Sequence, residues 1–332
     1  MERSNNAHNR SGVLVIAESN EDTIHQVTFE LLGKGREIAN ELRCELGALL
    51  LCANVKQPEE MISCGCDKAY VMRSNSFLCP EEVLYKANIV KFIEEHKPEV
   101  VLIGATPFGR SLAPRVAAAL GTGLTADCTE LAVGEEGELI QIRPAFSDNI
   151  LAHIKTRTFP QMATVRYGEF PVPEAESTRK GDVIQIPPYV ERMNQTYILE
   201  GIKRNVQELT EADIVVACGR GLKAEEDVAL IQKLADCLGG RVGYSRALVD
   251  AGIGDATSQI GYSGLRVRPK LYFACGISGA PQHLAGMKES GKIIAINQDA
   301  SAPIFNVCDL GIVGDLYQVI PRLIEELSVS GI

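Results

Sequence analysis

Small and charged residues follow five apolar, strand-like segments in the second half of this 332-residue chain. These groups are Gly219-Arg220-Gly221, Ser245-Arg246, the loop 276–283, Asn297-Gln298-Asp299 and Gly314-Asp315. In an open parallel sheet the carboxyl ends of the strands share one edge, where ligands bind and helix N-termini present free N–H groups. The spacing therefore predicts one crevice that binds an anionic ligand.

The loop 276–283 is the most distinctive of these groups. Gly276 and Gly279 permit close approach of the backbone to a ligand, and Pro281 suits the first turn of a helix. His283 would lie in that turn, where the helix dipole disfavours a protonated imidazole unless a negative partner is near. The spacing alone is equally compatible with a binding histidine and with an ordinary surface or core histidine.

Two glycine motifs match nucleotide fingerprints only in part. Residues 219–224 fit G-x-G-x-x-A after a strand, but the next strand ends in Tyr244-Ser245 and lacks the acidic residue that binds an adenosine ribose. Residues 286–293 resemble a phosphate-binding P-loop, but Ile293 replaces the required Ser or Thr and the segment precedes a strand. An NAD(P)-dependent oxidoreductase and a nucleotide-binding subunit without redox chemistry remain open as alternatives.

The ten cysteines indicate a reducing compartment and no metal site. Most lie inside apolar runs, where a free thiol behaves as a small buried hydrophobic group. Cys64-Gly65-Cys66 is the one close pair, and no second pair follows at zinc spacing. No export signal and no apolar segment of about 18 residues is evident, so we expect a cytoplasmic protein without membrane insertion.

The charge balance argues against nucleic acid as a partner. Lys and Arg total 33 and Asp and Glu total 43, which leaves a net charge of −10. A surface that binds nucleic acid or anionic membrane is normally basic.

The elements that would position the crevice alternate between strand and helix in both halves. In the first half, the pattern predicts parallel strands at 13–18, 47–53 and 99–104 and helices at 25–46, 81–96 and 109–120. Strands at 126–133 and 139–145, joined by a glycine-rich hairpin, and further strands at 151–155 and 162–166 predict an antiparallel addition to that sheet. In the second half, strands are predicted at 214–218, 241–244, 271–275, 292–296 and 310–313, with helices at 223–238, 279–288 and 316–327.

A change of composition predicts where the two halves separate. The proline-rich stretch 168–190 favours an extended connector over a packed element. We therefore predict an α/β protein of two domains, in which an N-terminal βαβ sheet with an antiparallel addition precedes a C-terminal doubly wound parallel sheet. The predicted ranges are 1–190 for the first domain, 191–209 for a linker and 210–332 for the second domain.

Six motifs of the second half together resemble the alpha subunit of electron transfer flavoproteins. They are GRGLK at 219–223, SRALVDAG at 245–252, QIGYSG at 259–264, GISGAPQHLAGM at 276–287, AIN at 295–297 and APIF at 302–305. Their order and spacing make this resemblance more specific than any single glycine motif. The first half is similar to the first domain of the family in length and strand pattern.

The resemblance implies that the C-terminal domain binds FAD and that the N-terminal domain contacts a beta subunit. For the flavin end of the cofactor, it implies that Ser245 lies near the flavin and Arg246 beside the isoalloxazine ring. It also implies that Ser263 lies near flavin N5 and His283 near the O2 edge. For the remainder, it implies that Arg220 lies near the phosphates and that Asn297 and Asp315 lie at the adenosine part. The remaining implied contacts are Gln259, Ile260, Gly261, Tyr262, Ser278, Gly279, Ala280, Pro281, Gln282 and Leu316.

The implied positions also carry a physical expectation about redox tuning. A guanidinium and an imidazole beside the ring favour its negatively charged reduced form over the neutral oxidised form. Arg246, Ser263 and His283 are therefore expected to set the redox potential, and no residue of this chain is expected to be catalytic in its own right.

The implied function is electron transfer between a dehydrogenase and an acceptor. The expected dehydrogenase is of the acyl-CoA type or another flavin-dependent enzyme. The resemblance leaves open whether the heterodimer also bifurcates electrons as an NADH-dependent oxidoreductase, with ferredoxin as a further acceptor. The second FAD of such a complex would lie in the beta subunit.

Four positions of this sequence differ from the residues that relatives in the family carry. Tyr262, Ser263 and Gln298 stand where many relatives have Gln, Thr and Lys, and Pro281 stands where some have Ile. Ser263 keeps the hydroxyl group, so its implied role is retained. Tyr262 adds an aromatic ring at the crevice.

Overall fold

The computed structural model describes residues 10–20, 22–145, 150–192 and 209–329. The chain divides into two compact units, residues 1–199 and 200–332. This division falls inside the predicted linker 191–209, most of which lies outside the described residues. The exact domain ranges therefore stay a prediction.

The first unit alternates strands and helices along most of its length. Its described strands are β1 (Val13–Ala17), β2 (Ser19–Asn20), β3 (Thr23–Ile24), β4 (Leu46–Cys52), β5 (Lys68–Arg73), β6 (Val100–Gly104), β7 (Leu124–Cys128), β8 (Glu130–Val133), β9 (Leu139–Ala145), β10 (Ile150–Lys155), β11 (Gln161–Val165) and β12 (Asp182–Ile186). Its described helices are α1 (Gln26–Leu42), α2 (Glu60–Ser63), α3 (Glu82–His96) and α4 (Pro107–Leu120).

Seven of these strands form a parallel sheet with the order β12-β5-β4-β1-β6-β11-β7. Strands β1, β6 and β11 are buried at every position, as expected of strands covered on both faces. Helix α1 packs on one face through residues such as Leu31, and α3 and α4 pack on the other through residues such as Phe92 and Leu112. The predicted βαβ organisation of the first half is confirmed.

The predicted antiparallel strands are present, but they form a sheet of their own. Strands β8, β9 and β10 pair in the order β10-β9-β8, with antiparallel register throughout. The single strand predicted at 126–133 is two strands, since β7 ends at Cys128 and β8 begins at Glu130, with a bend at Thr129 between them. The strand predicted at 162–166 is β11, which joins the parallel sheet between β6 and β7.

The prediction of an extended connector over residues 168–190 is wrong for its second half. Strand β12 pairs in parallel with β5 at the edge of the seven-stranded sheet. Strand β5 was not among the predicted strands, so β12 had no evident partner in the sequence. The proline-rich stretch therefore belongs at least in part to the first unit.

An ion-pair cluster at Asp67 attaches this stretch to the sheet. The Asp67 carboxylate accepts hydrogen bonds from Arg36 Nη2 at 2.5 Å, Arg179 Nη2 at 3.0 Å and the Leu46 backbone N–H at 2.9 Å. Burial alone would raise the pKa of Asp67, but these hydrogen bonds and charges lower it below the ordinary value of 3.8. The ionised form is thus favoured by folding.

Replacing Asp67 with Asn is expected to lower the free energy of unfolding by about 2 kcal/mol at neutral pH, since hydrogen bonds to a charged group are lost. The folded-state pKa is depressed, so this contribution is present above the unfolded pKa and disappears as the pH falls through the folded pKa. Urea unfolding at several pH values should show the difference between wild type and variant shrinking as the pH falls below the ordinary Asp pKa of 3.8 and on through the lower folded-state pKa.

Asp22→Asn provides the matched control, because Asp22 forms only an exposed ion pair with Lys56 at 2.9 Å. It is expected to change the unfolding free energy by less than about 0.5 kcal/mol. Equal effects of the two substitutions would contradict a specific role of the Asp67 cluster.

The second unit is a doubly wound parallel sheet, as predicted. Its described strands are β13 (Ile214–Cys218), β14 (Arg241–Ser245), β15 (Gln259–Ile260), β16 (Leu271–Cys275), β17 (Lys292–Asn297) and β18 (Leu310–Val313), and its described helices are α5 (Val228–Leu238), α6 (Arg246–Asp250), α7 (Pro281–Leu284) and α8 (Leu316–Val329). The strand order is β15-β14-β13-β16-β17-β18, and every pair is parallel. In this topology the connection reverses direction between β13 and β16, where ligands bind.

Two predicted helices of this unit are shorter than expected. The helix predicted at 223–238 begins as a short 3-10 turn and becomes α-helical only at Val228. The helix predicted at 279–288 is a single turn, Pro281–Leu284. Gly286 then packs directly against the backbone of Gly261, where an added Cβ would lie 2.5 Å from the Gly261 nitrogen.

Two further expectations concern the chain as a whole. All ten cysteines are unpaired thiols, and six of them are buried core residues, as predicted, whereas Cys44, Cys237 and Cys308 are half-buried and Cys79 is exposed. No helix in the described part of the chain is long and apolar enough to cross a membrane.

Candidate functional site

A cavity of about 730 Å³ opens at the carboxyl edge of the second sheet, where β13 and β16 end side by side. Its volume lies in the range of small-molecule and cofactor sites. Its lining comes from the carboxyl ends of the strands, from the segments that follow β13 to β17 and from the start of α8 after β18. The predicted single crevice at this edge is present.

The cavity brings together most of the residues expected to contact the cofactor. The lining residues among them are Arg220, Ser245, Arg246, Gln259, Ile260, Gly261, Tyr262, Ser263, Ser278, Ala280, Gln282, His283, Asn297 and Leu316. Gly279, Pro281 and Asp315 do not line it. Asp315 instead accepts a hydrogen bond from the Tyr317 backbone N–H at 3.0 Å, at the start of α8.

The floor of the cavity is made of glycine backbone. A Cβ added to Gly219 would lie 2.6 Å from Gly276 O, and one added to Gly221 would lie 2.7 Å from Gly276 Cα. Gly276 has a positive φ of 63°, and its carbonyl accepts a hydrogen bond from Gly221 N at 3.1 Å. The loops after β13 and β16 thus touch through their backbones, which leaves the space above them free for a ligand.

The loop after β13 carries two cationic side chains. Arg220 and Lys223 both line the cavity, and both are exposed. Among the described residues, the Arg220 guanidinium has no hydrogen-bond or ion-pair partner, so it is available to a phosphate group. Lys223 lies over the Tyr317 ring, with Nζ 5.4 Å from the ring centroid.

Arg246 is held in a defined orientation at the cavity by two neighbours. Its Nε donates to both carboxylate oxygens of Asp250, at 3.1 and 3.2 Å, and its Nη1 donates to Ser263 Oγ at 3.1 Å. Ser263 Oγ also accepts a hydrogen bond from Gln259 Nε2 at 3.1 Å. The guanidinium therefore carries a fixed positive charge at the cavity wall.

His283 lies in the cavity wall and is almost completely buried, with 7% of its surface exposed. Its Nε2 is 2.9 Å from the hydroxyl group of Tyr272, whereas its Nδ1 forms no hydrogen bond of normal geometry. Burial lowers the pKa of His283 to about 4, and the backbone of Ile260 offsets only part of that effect. The imidazole is therefore neutral at physiological pH in the ligand-free protein.

Unpartnered polar atoms in the cavity wall fit a site that is completed by a bound molecule. Ser245 Oγ and His283 Nδ1 are both buried without a hydrogen-bond partner, and both residues line the cavity. Such atoms are uncommon in folded proteins. Together with the glycine floor and the cationic loop, they match the needs of a ligand with a polar ring and a phosphate group.

Asn297 supports the loop after β16. Its Nδ2 donates to Ile277 O at 2.9 Å, and its Oδ1 accepts from the Asp299 backbone N–H at 2.9 Å. The side chain lines the cavity while both of its polar ends hold backbone. Asn297 therefore also fixes the conformation of the loop that lines the cavity.

Sequence reasoning missed two side chains that organise the site. Asp250, which holds Arg246, follows it by four residues, and that spacing on a helix could have indicated the pair. Tyr272, which contacts His283, lies inside an apolar strand and carries no local signal. Within the described ranges, no group of three His, Cys, Asp or Glu side chains is placed to hold a metal ion.

Two family models match the sequence. Residues 13–190 match the electron transfer flavoprotein domain, and residues 208–288 match the electron transfer flavoprotein FAD-binding domain.

Similar curated proteins cover nearly the whole chain. The electron transfer flavoprotein subunit alpha of Thermoanaerobacterium thermosaccharolyticum is 46% identical over 95% of this chain and 97% of its own length. The protein of the same name from Megasphaera elsdenii is 45% identical over 96% of each chain. The lactate dehydrogenase (NAD(+),ferredoxin) subunit LctC of Acetobacterium woodii is 44% identical over 96% of this chain and 77% of its own length.

Proposed function

Because this chain belongs to the electron transfer flavoprotein family as an alpha subunit, we propose that it passes single electrons between a flavin-dependent dehydrogenase and an acceptor. The chain has an electron-transfer role, its C-terminal domain binds FAD, and alpha subunits of this family work with a beta subunit. Bound FAD supplies reversible one-electron chemistry. The cavity at the switch point of the second sheet is the observation that carries the proposal.

We propose distinct tasks for the residues that line this cavity. Arg220 and Lys223 bind the diphosphate of the cofactor, since they are cations on a glycine-rich loop. Arg246 places a positive charge where the ring gains negative charge, and Ser263 keeps that guanidinium in position. His283 and Ser245 supply polar groups at the wall of the ring site.

The electron donor we propose is an acyl-CoA dehydrogenase or another flavin-dependent dehydrogenase. The similar chain from Acetobacterium woodii carries lactate dehydrogenase in its name, which supports a partner of this general class. We propose a cytoplasmic location, because the cysteines are unpaired.

A second candidate function is electron bifurcation by the assembled heterodimer. The name of the same relative includes NAD(+) and ferredoxin, the reactants that a bifurcating complex would use. The second FAD of such a complex would lie in the beta subunit. The FAD of this chain would then pass one of the two electrons to its acceptor.

Purification with its beta subunit tests both functions. The heterodimer is expected to be yellow, with flavin absorbance near about 450 nm. Quantifying the released nucleotides then separates the two modes, since two FAD per heterodimer indicate bifurcation and one FAD with AMP indicates simple transfer.

The same experiment addresses the remaining alternatives. A colourless heterodimer that retains NAD(P) would contradict the flavoprotein function and favour a nicotinamide-dependent enzyme. A colourless heterodimer that retains only AMP would favour a non-redox nucleotide-binding subunit.

A further inference from the structure

Tyr272 and His283 form a buried pair beneath the wall of the cavity. Tyr272 lies on β16 and is 0% exposed, and its hydroxyl group is 2.9 Å from His283 Nε2. Across the described ranges, this is the only hydrogen bond that the Tyr272 hydroxyl makes. His283 belongs to α7, so the pair links the short helix to the central part of the sheet.

The direction of this hydrogen bond follows from which atoms have partners. A phenol carries one proton, and among the residues that the structure describes Nε2 is the one acceptor to which it hydrogen-bonds. Complete burial raises the pKa of Tyr272 well above 10, so the hydroxyl keeps its proton. If the phenol donates to Nε2, then Nε2 has no proton, and the single proton of a neutral imidazole is on Nδ1.

The opposite direction leaves two polar groups without partners, whereas donation from the phenol to Nε2 leaves only the Nδ1–H group. If Nε2–H donated to the phenol oxygen, the buried phenol O–H would have no acceptor. The Nδ1 lone pair would also have no donor, because no described group donates a hydrogen bond to Nδ1. Burying polar groups without partners is unfavourable, so this arrangement is disfavoured.

We propose that Tyr272 is a positioning residue that holds His283 in the cavity wall as a neutral imidazole with its proton on Nδ1. The cavity then presents a fixed, uncharged imidazole to the bound ring, and the positive charge at the ring is that of Arg246. The role toward the cofactor rests on the proposed function, whereas the protonation state of the pair does not.

Two other histidines of the same chain provide internal references. His25 Nδ1 accepts a hydrogen bond from the Val27 backbone N–H at 3.1 Å, so its neutral form must carry the proton on Nε2. His96 Nδ1 lies 3.1 Å from the Phe92 carbonyl oxygen, so its neutral form must carry the proton on Nδ1. The 15N signals of His25 and His96 therefore serve as references for the two tautomers, measured in the same sample as His283.

The test is nuclear magnetic resonance of the full-length chain with 15N-labelled histidine, at neutral pH, with and without FAD. His283 is expected to show the pattern of His96 and not that of His25. In Tyr272→Phe, which removes only the hydroxyl group, we expect His283 to lose this single-tautomer pattern. We also expect the FAD dissociation constant to rise roughly 3- to 10-fold, as for the loss of one neutral hydrogen bond.

Tyr244→Phe is the matched control, since Tyr244 is half-buried in the same unit and its hydroxyl makes no hydrogen bond within the described residues. It is expected to leave both the His283 signals and FAD affinity unchanged. An Nε2–H or protonated His283 in the wild type would overturn the proposal. An unaltered tautomer in Tyr272→Phe would overturn it as well.

The role of the Tyr272–His283 pair toward the cofactor is tested separately from its protonation state. If Tyr272→Phe changes the tautomer but leaves the FAD affinity and the first reduction potential at wild-type values, the pair has no positioning role toward the cofactor. Failure of the wild type to bind FAD would instead contradict the proposed function. The tautomer measured without FAD would still stand in that case.

Discussion

Replacing Gly276 with alanine is expected to raise the FAD dissociation constant by about 100-fold or more. The added Cβ would lie 2.7 Å from Gly221 Cα and 2.9 Å from Leu316 Cδ2, and the positive φ of 63° is strained for any residue with a Cβ. In this structure the two loops already touch through Gly221 and Gly276. A Cβ at Gly276 forces them apart and so deforms the floor on which the cofactor is proposed to lie.

Gly239→Ala isolates the effect of that contact. Gly239 has nearly the same backbone conformation, with a φ of 66°, but a Cβ there would meet no atom within 4 Å. We expect a loss of about 1 kcal/mol in stability and no change in FAD affinity. Isothermal titration of flavin-free protein with FAD measures both variants, and circular dichroism checks that each is folded.

A comparable loss of affinity in the two glycine variants would show that backbone strain alone, and not the loop contact, controls binding. Wild-type affinity in Gly276→Ala would place the cofactor elsewhere than on this glycine floor. Either result would contradict the site assigned here.

Arg246→Ala is expected to lower the midpoint potential of the first one-electron reduction by about 40–130 mV, which corresponds to about 1–3 kcal/mol of lost stabilisation. The guanidinium favours the negatively charged reduced ring over the neutral oxidised ring. The effect depends on its orientation, which Asp250 and Ser263 fix by hydrogen bonds. Potentiometric titration of the yellow heterodimer, followed by absorbance, gives the potential.

Two further variants test whether the potential depends on charges that line the cavity or on any charge of this unit. Arg241→Ala removes the same charge at the opposite end of β14, and we expect no measurable change in potential. Asp250→Asn removes a negative charge from the cavity lining and is expected to shift the potential upward. An unchanged potential in Arg246→Ala would remove Arg246 from the redox-tuning residues.

Much of the fold followed from local patterns in the sequence. Strands such as β1 and β6 are continuous apolar runs because both faces of a parallel sheet are covered. Strand β12 was missed because its five residues lie in a proline-rich stretch and their pairing depends on β5, which was not predicted. The antiparallel strands were anticipated, but their separation from the parallel sheet was not, because it depends on the bend at Thr129 between β7 and β8.

The location of the candidate site was also predictable. Carboxyl ends of parallel strands meet by topology, so glycine and polar residues placed after each strand necessarily converge. The individual contacts of Gly279, Pro281 and Asp315 with the cofactor stay predictions, since these residues do not line the cavity. Their positions depend on how the loops pack, which no local pattern specifies.

The sequence by itself determined the family, the FAD-binding domain and the edge of the sheet where the candidate site lies, because these follow from motifs and from alternating strands and helices. Only the tertiary structure decided the state of His283. Its burial and its hydrogen bond to Tyr272, eleven positions earlier in the chain, make it neutral and orient it. Burial and hydrogen bonding between separate elements arise only when the chain is folded, so the motif that contains His283 could not show its protonation state.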